Sequence, residues 1–255
     1  MKIIYEPTGK AKEYADLALN IYKGCTHKCR YCYCANSRYL DKDEFFSKPN
    51  PKKNIISRIT SDCELLVEKY NGPERVPEIL MSFLGDVYQP AEEQLGLTRH
   101  AIEVLTSFNL RFTILTKGGM LAERDFDLLN HYPGFRLGIS LSVIAPSWVK
   151  MYEPGSADPE ERIHSCKVAR EEYGIKTWCS LEPIIDPQQA LWILKEWHSE
   201  VDFWYLGRIT YPSSDAPRWS TGVDWIATRD LLASFLESVG ASHKLKKSFS
   251  EEQYG

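Results

Sequence analysis

Long hydrophobic runs are missing from this 255-residue chain, so no stretch is able to cross a bilayer as a helix. Met1 to Asn20 also lacks the basic, apolar and small-residue succession of a signal peptide. A cytoplasmic protein without membrane attachment is therefore expected. An excess of positive charge is missing too: the formal net charge is -4, which excludes a bulk electrostatic field for nucleic acid. The densest basic tracts, 48–53 and 243–247, are short and read as solvated loops. No linker-like stretch divides the chain, so residues 1–255 read as one domain. A disulfide framework is absent as well. The seven cysteines are an odd number, and Cys25, Cys29, Cys32 and Cys34 crowd one short stretch, the pattern of metal binding in a reducing compartment. The remaining three, Cys63, Cys166 and Cys179, are far apart and form no second cluster.

What is present centres on Gly24 to Cys34, Gly-Cys-Thr-His-Lys-Cys-Arg-Tyr-Cys-Tyr-Cys. Cys25, Cys29 and Cys32 are separated by three residues and then by two, with Tyr31 directly before the third. Three soft ligands on one loop hold a metal centre and leave one position open, whereas a structural zinc site closes with a fourth ligand. His27 or Cys34 could supply that closure. Cys34 is open to three readings: fourth ligand, hydrogen-atom donor beside the centre, or neighbour.

Around this loop the chain repeats one unit. Ile55, Ile59, Cys63 and Leu66 mark an amphipathic helix, and 78–85 is an apolar strand-length run. A helix over 92–107, a strand over 111–116, a helix over 123–131 and a strand over 136–143 follow. A helix capped by Asp158 runs from Pro159 to Tyr173, ahead of a strand over 175–181. A helix over 188–200, a strand over 202–207 and a last helix over 224–239 complete the series. The first strand is expected at 20–23, delivering the cysteine loop. Strand and helix in alternation predict an α/β fold with a parallel sheet and right-handed crossovers. Six units make an open (β/α)6 partial TIM barrel; there is no room for eight. Residues 208–223 read as a loop over the barrel mouth, and 224–255 as a C-terminal helix and tail.

The cysteine spacing resembles the signature of the radical S-adenosylmethionine superfamily, whose core is such a partial barrel. Over roughly Ile21 to Leu181 a narrower likeness is present: Asp86 with Gln89-Pro90 after it, Leu97-Thr98-Arg99, Thr116-Lys117, Glu153-Pro154 and Pro159 to Arg162. In that order these motifs resemble the spore photoproduct lyase-like family, also described as DNA repair photolyase-like. The resemblance implies a 4Fe-4S cluster on Cys25, Cys29 and Cys32, with S-adenosyl-L-methionine on the open iron. It also implies a deoxyadenosyl radical that abstracts hydrogen from substrate, and an external one-electron reductant of flavodoxin or ferredoxin type.

The resemblance places Asp86 at the amino group of the cofactor and Lys117 at its carboxylate. Ser140 and Ser142, two apart on one strand, are candidates for the ribose. Tyr31 and Tyr33 would border the adenine. Arg162 is a further cofactor candidate, with Glu153 as its alternative partner in fixing a loop. Glu182, at the end of a strand before Pro183, is expected to face the mouth as a catalytic candidate. The lyase's own thiol donor has no counterpart here, because Phe83-Leu84-Gly85 stands in its place; Cys179 or Cys34 could replace it. The expected substrate is a nucleobase in nucleic acid or a nucleotide, stacked by loop aromatics such as Tyr211, Trp219 and Trp225. The alternatives are the same chemistry on a small metabolite, amino acid or peptide, or a non-catalytic metal-binding scaffold.

Overall fold

The structure, a computed structural model, describes residues 2–35, 41–210 and 222–249. Among the described residues ten strands follow in chain order: β1 (Ile4–Tyr5), β2 (Leu17–Leu19), β3 (Tyr22–Lys23), β4 (Asn50–Pro51), β5 (Ile79–Met81), β6 (Phe112–Thr116), β7 (Phe135–Leu141), β8 (Lys176–Ile184), β9 (Phe203–Arg208) and β10 (His243–Leu245). Eight form one sheet in the order β1-β2-β5-β6-β7-β8-β9-β10, while β3 and β4 pair in a separate ribbon. From β2 to β10 every neighbour is parallel, and β1 adds antiparallel to β2. The sheet is the expected open, mostly parallel α/β barrel.

Helices connect the strands: α1 (Lys42–Ser47), α2 (Ile55–Tyr70), α3 (Glu92–Leu95), α4 (Leu97–Ser107), α5 (Pro146–Tyr152), α6 (Pro159–Tyr173), α7 (Pro187–Trp197) and α8 (Trp225–Ser238). Alternation along the strands separates two cores. Ile79, Ile114, Ile139, Leu181 and Leu206 face the helices, whereas Leu80, Trp178 and Tyr205 fill the lumen with Tyr14. Gly138 of β7 makes the lumen possible, because any Cβ there would overlap the Trp178 ring.

Five expectations need correction. The first parallel strand is 17–19, not 20–23, because the Asn20 side chain leaves the sheet and accepts from Phe83 N and Leu84 N at 2.8 and 2.6 Å. The helix expected over 92–107 breaks at Gly96, whose φ of +59° ends α3 before α4 begins. The segment 119–129 winds as a 3-10 helix, although it buries the amphipathic face at Ala122, Phe126 and Leu129. The basic tract at 243–247 is no solvated loop: it supplies β10, a seventh parallel strand, and buries Lys246. Residues 211–221 of the expected mouth loop, with Tyr211 and Trp219, lie outside the described residues. Trp225 is buried in the helix-side core under Arg208, not at a base-stacking surface.

Candidate active site

At the carboxyl ends of β5 to β8, where parallel α/β folds collect their chemistry, the barrel opens into a cavity of about 360 Å3. Its wall includes Cys25, Cys29 and Cys32, and Cys34 beside them. The cysteine loop is pinned from below and from the side. Gln89 accepts from Thr26 N at 3.0 Å and donates to the carbonyls of Asp86 (2.9 Å) and Gly24 (3.3 Å). Gly85, at φ +88°, lets the strand end touch the loop, since a Cβ there would lie 2.6 Å from Gly24 O. From the other side Gly155 N donates to His27 O at 3.0 Å and Arg30 N to Tyr152 O at 2.9 Å.

Behind Gln89 the Asp-Val-Tyr-Gln-Pro and Leu-Thr-Arg motifs form a buried brace. Fully buried Glu92 accepts from Tyr22 and from Thr98 N, and pairs with Arg124, which also holds Asp125 at 2.8 Å. These motifs are structural where they leave the wall.

Asp86 faces the cavity with both oxygens already oriented. Oδ1 accepts from Thr116 Oγ1 (2.6 Å) and Tyr88 N (2.9 Å), and Oδ2 from Lys117 N (2.6 Å). His27 Nδ1 stands 3.5 Å from Oδ2, and burial lowers its pKa against the pull of Asp86. The Lys117 ammonium sits 2.6 Å from Ser140 Oγ, 3.1 Å from Glu153 Oε1 and 5.6 Å from the Tyr31 ring centroid. Burial, reinforced by the neighbouring Arg162 cation, pushes Lys117 down to about 7. Glu153 is pulled both ways, burial raising its pKa and Arg162 lowering it.

Sequence reasoning and structure agree unevenly beyond these. Tyr31 donates to Glu153, and Tyr33 donates to Phe83 O at 2.6 Å; both rings line the cavity. Ser140 lines it as well, but Ser142 lies past the end of β7, buried and outside the wall, so the expected shared face stops at Ser140. Arg162 is behind the wall, fully buried, bonded to Glu153 Oε2 (2.6 Å), Ser140 O (2.8 Å) and Ala157 O. It fastens the loop that carries Glu153. Cys179 is turned away from the cavity into the helix-side core, because it alternates with the lumen-facing Trp178 and Ser180.

Cys34 is buried in the wall with its thiol 3.8 Å from Phe83 O; contact with Cys32, then burial, raises its pKa. The same contact brings Cys32 down to about 7, while burial pushes Cys25 up to about 12 and raises Cys29. Sequence reasoning missed Tyr14, Ser180 and Lys246. Glu182 Oε2 accepts from Tyr14 (2.8 Å) and from Lys246 Nζ (2.5 Å), and Tyr14 meets Ser180 Oγ at 2.6 Å. Among the described residues no group of three or more His, Cys, Asp or Glu is arranged as ligands of a metal ion. Cys25, Cys29 and Cys32 instead line the open cavity together.

An open parallel barrel with soft ligands at its mouth is the class of protein defined so far. The family model of the Radical SAM superfamily matches residues 19–189, and the chain belongs to that superfamily. It is an enzyme of that group, whose members use S-adenosylmethionine and an iron–sulfur cluster and need a reductant. Its relatives include an uncharacterised protein of Methanocaldococcus jannaschii, MJ0683, 28% identical over 75% of this chain and 70% of that one. Another, ORF301 of Acidianus two-tailed virus, is 27% identical over 76% of this chain and 65% of its own length. Among solved structures, spore photoproduct lyase complexed with dinucleoside spore photoproduct superposes with a TM-score of 0.71 at 14% identity, covering 95% of this chain and 79% of the lyase. Streptococcus suis SuiB bound to S-adenosylmethionine gives 0.64 at 11% identity, covering 93% of this chain but 53% of SuiB. At these identities the likeness to solved structures is one of fold.

Proposed function

We propose that this enzyme uses a 4Fe-4S cluster on Cys25, Cys29 and Cys32 to act on a nucleobase, in nucleic acid or as a nucleotide. The carrying observation is that one cavity collects the three sulfurs, Asp86, Lys117 and Ser140. When bound, the cluster supplies the electron that cleaves S-adenosylmethionine to the deoxyadenosyl radical. The chain's own groups do the positioning. Asp86, kept in place by Thr116 and two backbone N–H groups, offers its carboxylate to the cofactor's ammonium. Lys117, drawn over by Ser140 and Glu153, offers a cation to the carboxylate, and Arg162 holds Glu153 from behind. Tyr31 and Tyr33 give the adenine its apolar border, and Ser140 faces the ribose.

With Cys179 turned into the core, Cys34 is the thiol we assign as hydrogen donor. The likeness in fold to the lyase, which extends over more of that protein than of SuiB, supports a nucleobase over a peptide.

The test is anaerobic reconstitution with iron and sulfide, then S-adenosylmethionine, a reductant and deuterated nucleotides or oligonucleotides, with deuterium followed into deoxyadenosine by mass spectrometry. Label transfer from a nucleotide is expected. Cleavage with label arriving only from peptides or metabolites would replace the nucleobase reading, and a colourless protein holding stoichiometric zinc would overturn the radical one.

A further inference from the structure

The wall of the cavity formed by β8 carries a second polar group that the cofactor-binding residues do not use. The Tyr14 hydroxyl donates to Glu182, so the proton between Tyr14 and Ser180 belongs to Ser180, and the chain of bonds has one direction: Ser180 to Tyr14 to Glu182. Lys246 completes it, with its ammonium 2.5 Å from the same carboxylate oxygen and 3.7 Å from the Tyr14 ring centroid. Tyr14 and Lys246 come from opposite ends of the chain, and Lys247 N ties them again by donating to Glu13 at 2.9 Å.

An ion pair of this kind adds little net stability, because desolvation offsets most of its attraction. Its effect on the cavity is more specific. It orients the Glu182 carboxylate, and Ser180, its own proton given to Tyr14, is left as an acceptor beside it. Around them the lining is apolar and broad: Phe83, Leu115, Pro183 and Ile209. Ser140 joins the two regions, its Oγ lying 2.6 Å from Lys117 Nζ and 3.5 Å from Glu182 O.

We propose that Glu182, positioned by Tyr14 and Lys246, is a substrate-recognition residue that, with Ser180, accepts hydrogen bonds from the N–H edge of a planar nitrogen heterocycle held between the apolar side chains. This rests on the nucleobase reading above and narrows it: the base presents an amino or imide N–H edge to the carboxylate, with its ring faces against carbon.

The experiment uses the full chain, reconstituted anaerobically with cluster, S-adenosylmethionine and reductant. A single-stranded oligonucleotide containing all four bases serves as probe, and stimulated deoxyadenosine formation is recorded against its concentration. Glu182→Gln is expected to raise the oligonucleotide KM by about tenfold, the effect of losing a charge-assisted hydrogen bond, with a smaller change in kcat. Glu182→Asp, which keeps charge and acceptor, should recover part of the loss. If Glu182→Gln fails to fold by circular dichroism, Ser180→Ala takes its place, with a rise of a few-fold expected. An unchanged KM in a folded variant overturns the inference while leaving the nucleobase reading intact. Failure of every oligonucleotide to stimulate the wild-type enzyme, with peptides or metabolites doing so, overturns both.

Discussion

At the cysteine side of the cavity the wall runs through one continuous stretch, Cys25 to Cys34, whereas on the β8 side Tyr14, Ser180, Glu182 and Lys246 come from three distant segments. The contrast extends to the buried lysine on each side. Lys117 retains 12% side-chain exposure and shares Glu153 with Arg162, so its charge is one cation too many for that carboxylate. Lys246 has 0% exposure and shares its carboxylate with the Tyr14 hydroxyl. A continuous loop concentrates reactive groups by sequence spacing, whereas an assembled wall spends part of its charge on orienting its own carboxylate.

The largest expected effect is on the continuous side. Cys29→Ala removes one of the three proposed cluster ligands, so iron and sulfide content after reconstitution should collapse and deoxyadenosine formation should be abolished. Retention of the cluster would mean that Cys34 or His27 serves as a ligand, and the contrast between the two sides would have to be redrawn.

The lysines should then separate. Lys246→Met takes the buried ammonium from beside Glu182, a carboxylate open to the cavity, and is expected to cost about 2–3 kcal/mol of stability. Lys117→Met should cost nothing in metal-free protein and can stabilise it by about 1–2 kcal/mol, since it removes a desolvated cation from beside Arg162. The sign of its pH dependence follows. With a folded pKa of about 7 against an ordinary 10.5, Lys117 lowers stability increasingly as pH falls from 10.5 to 7, and fully below that. Denaturant titrations of the two proteins should therefore diverge as pH falls through that window. Equal losses from both substitutions would show that the two lysines do the same job.

A third effect concerns how the continuous loop is seated. Gly85→Ala adds a Cβ at φ +88° and 2.6 Å from Gly24 O, costing about 2 kcal/mol and displacing the cysteine loop. Lower iron occupancy in a folded protein is the expected readout, and normal occupancy would show that the loop holds its place without this contact.

The same contrast governs what was legible in the sequence. Cys25, Cys29, Cys32 and Tyr31 carry their spacing in the chain, and Asp86, Lys117 and Glu182 follow from strand ends, because a parallel barrel points such ends to one mouth. Tyr14 and Lys246 carry no such signal, and only the closing of the sheet brings them to Glu182. Lys246 was hidden in a basic tract whose charge suggested solvent. Arg162 and Gln89 were visible as motif residues, but not that they act on backbone carbonyls behind the wall.

Cys179 gives the smallest expected effect and the finest test of that lesson. From the sequence it was one of two thiols available as hydrogen donor, but a strand alternates, so Trp178 and Ser180 entering the lumen oblige Cys179 to leave it. Burial raises its pKa, with Lys117 opposing, so it stays a thiol among apolar neighbours. Cys179→Ala should cost about 1–2 kcal/mol for the lost packing and alter neither deoxyadenosine yield nor product. Cys34→Ala, assayed beside it with iron content checked, should change the product by leaving the substrate radical without its donor. A product that changes in the Cys179 variant would place its thiol within reach of substrate and contradict the pleat of β8.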